Sequence, residues 1–233
     1  MVRKSTMKKW LFALEIFGCI QFIIITAIAM GFYKGGTYID STTSNYLFWN
    51  NYFSDLGRTI AHSGLPNTIS FILFTITLSL WGLLQIPFYL MLPSLFKDLK
   101  RIKKFAITGS ILGVFTGIFY VGIAFTPSDV TNLAHNIFVF LGFSSIFLSI
   151  IFYAIVTFKD KSYSNLYAIT FTISAIILGN YFMILAFIPN SLTTIGLYIY
   201  VVGQKFMIYT LLICGIIQGI GAIKQYALSF ILQ

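Results

Sequence analysis

Hydrophobic residues dominate six blocks of the chain, and more polar stretches separate these blocks. A helix of about 20 apolar residues spans the hydrocarbon core of a bilayer. The pattern therefore predicts six transmembrane helices, at about residues 10–32, 68–94, 105–125, 129–157, 165–187 and 191–222. The predicted fold class is all-α, a six-transmembrane-helix bundle that forms a single polytopic domain over residues 1–233, with a long first outer loop at 33–67.

Composition supports the same fold class. The chain is 58% hydrophobic and only 9% charged, whereas a soluble domain has about 25% charged residues. So few charges exclude a soluble domain, and the high hydrophobicity excludes a disordered chain. The net charge of +9 does not indicate nucleic acid, because the basic residues flank the hydrophobic blocks. We expect membrane lipids as partners of these flanks, and no nucleic acid.

The distribution of Lys and Arg predicts the orientation. Of the 15 basic residues, all but Lys34, Arg58 and Lys205 fall in segments that share one side of the membrane. Cytoplasmic segments are enriched in Lys and Arg. We therefore expect a multi-pass protein of the cell membrane with both termini in the cytoplasm and the 33–67 loop outside.

The outer loop carries an aromatic-rich stretch from Ser44 to Gly57. Its apolar residues recur at helical spacing, and a glycine such as Gly57 commonly closes a helix. The stretch therefore predicts an amphipathic helix that lies in the membrane interface.

Short motifs before the even-numbered helices indicate an internal repeat. The segment 126–128 (Thr-Pro-Ser) aligns with 188–190 (Ile-Pro-Asn), and Pro66-Asn67 precedes the second helix. A proline followed by Ser or Asn is a helix break followed by an N-cap. Two interpretations stay open: three related helical hairpins, or convergence of loop ends on the same local signal.

Glycines at four-residue spacing mark one face of the third helix and one of the sixth. They are Gly109, Gly113, Gly117, Gly215 and Gly219. Small residues let helix backbones approach closely in lipid. We expect these faces to pack helices together, within one chain or between two copies in an oligomer.

Six polar residues near the outer helix ends are candidates for function, because ionisable groups are costly in a membrane. They are Asp55, Arg58, Asp129, His135, Gln204 and Lys205. We expect them to line one polar pocket that faces the outer leaflet. Asp55 and Arg58 are spaced to pair, and Lys205 is expected to pair with an acidic group. Asp129 is expected in the first turn of the fourth helix, where the helix dipole favours an acid.

The remaining ionisable residues predict little chemistry of their own. His62 is expected to be solvated in the loop, and Glu15 is expected to make a separate polar contact in the cytoplasmic half. Two histidines without a recognised ligand spacing predict no metal site, and no cofactor motif is present. Asp129 and His135 are the candidate catalytic acid and base.

Three segments carry a family resemblance. Residues 51–59 contain Asn-x-x-Ser-Asp-Leu-Gly, residues 125–129 read Phe-Thr-Pro-Ser-Asp and are followed by His135-Asn136, and Gln204-Lys205 lies in the last helix. They resemble segments of an uncharacterised prokaryotic family of six-helix membrane proteins, domain-of-unknown-function family 998. That family has a Glu-Arg pair where this chain has Gln204-Lys205, so no acid role is expected there. The resemblance implies six helices and a prokaryotic source, but no established reaction.

These observations predict a membrane protein that binds a lipid or another amphiphile in the outer pocket. Arg58 and Lys205 would meet a phosphate or carboxylate, and Asp129 and His135 would orient it. Three alternatives stay open: a lipid hydrolase or transferase that uses Asp129 and His135, a small-solute or proton-coupled transporter with Lys205 and Glu15 on the path, and a structural or partner-binding subunit.

Overall fold

The structure is a computed structural model that describes residues 2–96, 100–188 and 193–231. Within these ranges the chain forms six α-helices and no strand. The helices are α1 (Val2–Phe32), α2 (Thr68–Met91), α3 (Lys100–Ala124), α4 (Asn132–Lys159), α5 (Asn165–Phe187) and α6 (Thr194–Ile231). Each is long and apolar enough to cross a membrane. The predicted all-α, six-helix membrane fold is confirmed.

The six helices form a closed ring. Each helix packs against the next one in the sequence, and α6 packs against α1. The long segment between α1 and α2 and the short segment between α3 and α4 lie at one end of the ring, which we call the loop end. The ring encloses a buried core rich in aromatic side chains, and the polar residues discussed below lie in its centre or under the loops.

Several helix boundaries differ from the prediction. α1 begins at Val2 and α6 extends to Ile231, because Lys, Gln and Ala are good helix formers that continue a helix beyond its apolar block. α4 begins at Asn132, with Thr131 as its N-cap. The preceding turn is closed by Val130 and Thr131, which donate to the carbonyl of Pro127. Asp129 therefore lies before the helix, and the prediction that it occupies the first turn is wrong.

The predicted interfacial helix is also wrong. Residues 44–52 form turns and extended chain, and only a short 3₁₀ helix at Phe53–Gly57 follows. Side chains take the backbone donors that an α-helix would use: Asn51 Oδ1 accepts from the amide of Leu47, and Asp55 Oδ2 accepts from that of Tyr52. Such local side-chain bonds compete with helix formation.

Both glycine faces pack against helices of the same chain. A Cβ at Gly113 would clash with the ring of Tyr89 on α2, and one at Gly117 would clash with the backbone of Gly82. On α6, a Cβ at Gly215 would lie 2.6 Å from Glu15 Oε1. The glycines thus bring α3 close to α2 and α6 close to α1. Contact between two copies of the chain stays a prediction.

The proposed hairpin repeat also stays a prediction. Pro189 and Asn190 lie outside the described residues. Asn67 is the N-cap of α2 but makes no capping bond with its side chain. Its Nδ2 donates instead to the carbonyls of Leu56 and Arg58, so the shared sequence motif does not serve one shared capping role.

Candidate functional site

A cavity of about 430 Å³ lies inside the loop end of the ring. All six helices and the segment between α1 and α2 contribute to its wall. On α4 the lining runs from Asn132 to Phe143, twelve residues that span roughly 16 Å of helix rise. We call this space the main cavity. It reaches about half-way through a hydrocarbon core of about 30 Å.

The floor of the main cavity is aromatic. Trp81 of α2 and Tyr120 of α3 are buried, and their ring centroids are 4.9 Å apart. Phe22, Leu78 and Phe143 line the lower wall around them. The deep part of the cavity therefore offers apolar contact.

The mouth of the main cavity is polar. Of the six predicted site residues, four line it: Asp55, Arg58, His135 and Gln204. His62 also lines the mouth, although it was not among the six predicted site residues. Asp129 and Lys205 do not line the cavity. Both lie beside it and hold the loop segment in place.

Asp55 and His62 form a buried pair. His62 Nε2 lies 3.1 Å from Asp55 Oδ1, and both side chains are largely buried. Because the carboxylate accepts at this contact, His62 donates from Nε2 and keeps an unprotonated Nδ1 in its neutral form. The predictions that His62 is solvated and that Asp55 pairs with Arg58 are wrong. Arg58 Nε donates instead to the carbonyl of Ile60.

A glycine permits this pairing. The turn at residues 61–64 folds His62 back over Asp55, and it packs on Gly36. Gly36 has φ +77°, and a Cβ there would clash with the backbone of His62 and Ser63. A glycine is thus required at position 36, because the backbone is left-handed there and two loop segments lie too close for a Cβ. The sequence signal for the pair was this glycine, not the spacing of Asp55 and His62.

His135 lies across the main cavity, near the start of α4. It is 6% exposed, and its Nδ1 is 2.7 Å from the carbonyl oxygen of Thr126. A carbonyl can only accept, so Nδ1 carries the proton and Nε2 is an acceptor in the neutral ring. His62 and His135 therefore line the same cavity, and each has one ring nitrogen that acts as an acceptor in the neutral form.

Asp129 joins the loop segment to the turn before α4. Its carboxylate accepts from the amides of Thr59 and Ile60, at 3.1 and 2.9 Å, and from the Thr59 hydroxyl at 2.6 Å. Partial burial alone would raise the pKa of Asp129, but these three hydrogen bonds outweigh it and hold the pKa below its ordinary value. With its acceptor sites occupied in this way, Asp129 acts as a clamp and is a poor candidate for a catalytic acid.

Lys205 holds the same segment to α6. It is 1% exposed, and its Nζ donates to Tyr46 Oη at 2.5 Å and to the carbonyl of Asn51 at 2.8 Å. It also lies 4.1 Å from the ring centroid of Phe53. The neighbouring Gln204 accepts from the amide of Phe53 at 2.9 Å. The prediction that Lys205 pairs with an acid is wrong, because a phenol, a carbonyl and aromatic rings surround its ammonium group.

Tyr46 is suited to this contact. Burial raises its pKa well above the ordinary value, and the nearby Asp55 charge adds to the effect. The phenol therefore stays neutral and accepts from Lys205. Together, Asp129 on one side and Gln204-Lys205 on the other fix the loop segment over the main cavity.

The described residues contain no group of three or more His, Cys, Asp or Glu side chains that could hold a metal ion. No family model, curated protein or solved structure matches the chain. The resemblance to family 998 therefore stays a prediction, and the function has to be inferred from the geometry of the site.

Proposed function

We propose that this membrane protein binds one amphiphile, such as a lipid acyl chain with its head group, in the main cavity. The observation that carries this proposal is the gradient along the wall, from the aromatic floor at Trp81 and Tyr120 to the charged mouth at Arg58. A cavity of about 430 Å³ is within the range that small-molecule ligands occupy. An apolar tail would fill the deep part, and a polar head would remain at the mouth.

Arg58 favours an anionic head group. It is the only Lys or Arg among the described residues that line the main cavity. Its Nε bonds to Ile60, and the terminal guanidinium nitrogens make no ion pair with the described residues. A guanidinium group binds phosphate or carboxylate through two parallel hydrogen bonds. Lys205 is excluded from this role because its ammonium group is already enclosed.

The proposed orientation makes the outer leaflet the source of the ligand. One cluster of basic residues lies at the end of the ring opposite the loop end, near 100–104 and at Lys159 and Lys161. The positive-inside rule puts that end in the cytoplasm. The loop end, and with it the mouth of the main cavity, would then face the outside of the cell membrane.

Native mass spectrometry with added phosphatidylglycerol tests this proposal. We expect one lipid to remain bound to the wild type. Arg58→Gln should weaken binding about tenfold or more, because a charge-assisted hydrogen bond contributes about 1.5–3 kcal/mol. Val139→Trp, which fills the cavity from α4, should abolish stoichiometric binding.

Lys34→Gln is the matched control, since Lys34 is the other loop-end cation, is exposed and does not line the main cavity. Its lipid binding should equal that of the wild type. Equal weakening in Lys34→Gln and Arg58→Gln would indicate general attraction to anionic lipid and would contradict a defined head-group site. A wild type without bound lipid would contradict the proposal as a whole.

Catalysis on such a lipid is the second candidate function, and the two histidines favour it. His62, oriented by Asp55, and His135, oriented by Thr126, line one cavity as candidate proton acceptors and donors. A hydrolase or transferase would use them as base and acid, in place of the Asp129 and His135 expected from the sequence. This alternative requires that His135→Asn retains bound lipid but stops its turnover. Unchanged lipid after prolonged incubation with the wild type would exclude it.

A further inference from the structure

A second, smaller cavity lies beneath the main cavity. Its volume is about 20 Å³, and its lining includes Glu15 of α1, Gln85 of α2 and Cys214 of α6. Trp81 and Tyr120 line both cavities. The aromatic pair that forms the floor of the main cavity is therefore the roof of the second one, which we call the deep cavity.

Unpartnered polar atoms gather around the deep cavity. Six buried side-chain nitrogen or oxygen atoms among the described residues have no hydrogen-bond partner. Four of them belong to side chains that line this cavity: Glu15 Oε2, Trp81 Nε1, Gln85 Nε2 and Tyr120 Oη. A buried polar atom without a partner costs about 1–3 kcal/mol. Four such atoms around one small space indicate that a polar occupant satisfies them.

The size and the donor pattern identify this occupant as water. A space of about 20 Å³ holds one water molecule, which needs about 10–15 Å³ and two to four polar partners. Trp81 Nε1 can only donate a hydrogen bond. A metal cation would be repelled by such a donor, whereas water can accept from a protonated Glu15 Oε2 and from Trp81 or Gln85 while it donates to Tyr120 Oη.

Glu15 has no cationic partner in this space. The titratable groups that face it are Cys19 on its own helix, Tyr89 and Tyr120 on α2 and α3, and Cys214 on α6. None of them carries a positive charge. An isolated carboxylate is costly to bury, and the group avoids this cost by holding a proton.

We propose that the deep cavity is a proton-binding site, in which Glu15 holds a proton and exchanges it with a bound water molecule. In the exchange, the Oε2–H bond breaks and the water oxygen takes the proton. The carboxylate that remains accepts hydrogen bonds from the water and from the nearby donors. This site goes beyond amphiphile binding, since it needs no ligand in the main cavity.

The shared aromatic pair connects the two sites physically. A ligand on the floor of the main cavity would contact one face of Trp81 and Tyr120, and the occupant of the deep cavity would contact their polar atoms. Such an arrangement is suited to coupling proton binding with ligand binding, as a proton-coupled transporter requires.

Isotope-edited infrared spectroscopy can read this site directly, because Glu15 is the only glutamate in the chain. Cell-free synthesis with side-chain ¹³C-labelled glutamate and reconstitution into nanodiscs would label one carboxyl group. At neutral pH we expect the carbonyl band of a protonated carboxylic acid, and we expect it to shift in D₂O. The band should be absent in Glu15→Gln.

Two tyrosine variants test the proposed water. Tyr120→Phe removes a hydroxyl from the deep cavity and should shift the labelled band. Tyr153→Phe is the control, since Tyr153 is equally buried but bonds to Ser110 and to the carbonyl of Ala106, away from the cavity. A carboxylate band at neutral pH would overturn the proposal. So would a protonated band that does not respond to D₂O, because the proton would then not exchange with water.

Discussion

Asp129 offers the sharpest test of how the loop segment is held over the main cavity. Asp129→Asn keeps the size and shape of the side chain but replaces one acceptor oxygen with an NH₂ group. In the wild type, Oδ2 accepts from the Ile60 amide and the Thr59 hydroxyl, and Oδ1 accepts from the Thr59 amide. The hydroxyl can reorient to accept, but a backbone amide cannot.

The expected cost follows from these contacts. At least one amide loses its acceptor, and the other hydrogen bond loses the charge of the carboxylate. A hydrogen bond to a charged group contributes about 1.5–3 kcal/mol. Asp129 is partly exposed and water replaces part of the loss, so we expect about 2 kcal/mol. This corresponds to roughly a 30-fold increase in the opening of the loop segment.

Hydrogen exchange measured by mass spectrometry in nanodiscs can detect this change in a peptide that covers residues 61–67. Its amides bond to Tyr33, Gly35 and Thr59 and are protected only while the segment is docked. Asp40→Asn is the control: Asp40 is an exposed acid of the same segment, and among the described residues its carboxylate bonds only to Thr42. Equal exchange in Asp129→Asn and the wild type would refute the clamp.

Three further predictions concern the same segment. Because the pKa of Asp129 lies below its ordinary value, its carboxylate stabilises the docked loop segment fully above about pH 4. Hydrogen exchange of the 61–67 peptide should therefore rise only as the pH falls below that value. Lys205→Met removes the hydrogen bonds that the ammonium group donates to Tyr46 Oη and to the Asn51 carbonyl, so it should destabilise the protein by about 2 kcal/mol in thermal unfolding. Met at the exposed Lys224 should have no effect. Gly64→Ala should destabilise the protein by only about 1 kcal/mol, from backbone strain at φ +85°, because open space surrounds Gly64. Gly36→Ala adds a clash with neighbouring backbone and should destabilise it clearly more. Equal destabilisation by the two variants would contradict the close approach at Gly36.

The helices could be predicted from the sequence because their length and hydrophobicity are local properties. A block of about 20 apolar residues can span the membrane as a helix whatever its neighbours are. The boundaries were less certain, because polar good helix formers extend α1 and α6 past the apolar blocks. The prediction of a helix at 44–57 was wrong because its apolar spacing suits a helix, but the side chains of Asn51 and Asp55 accept from backbone amides that the helix would need.

The site was predicted in part. Polar residues near the helix ends had to lie close to one another at the loop end, which gave Asp55, Arg58 and His135 as candidates. Their partners depend on loop closure over long sequence distances. Lys205 bonds to a carbonyl 154 residues away, and no local pattern encodes that contact. His62 was missed because its position over Asp55 depends on a turn packed against Gly36.

Photolabelling tests the central claim, that a lipid tail occupies the main cavity, most directly. A phosphatidylglycerol with a diazirine at the end of one acyl chain would be incorporated into nanodiscs with the protein, and the crosslinked residues would be mapped by mass spectrometry. We predict labels on the cavity floor, at Trp81, Tyr120 and Phe143, and their loss in Val139→Trp. Labels confined to the exposed outer faces of the helices, such as Ile72 and Phe140, would show that lipid only surrounds the ring and would contradict the account.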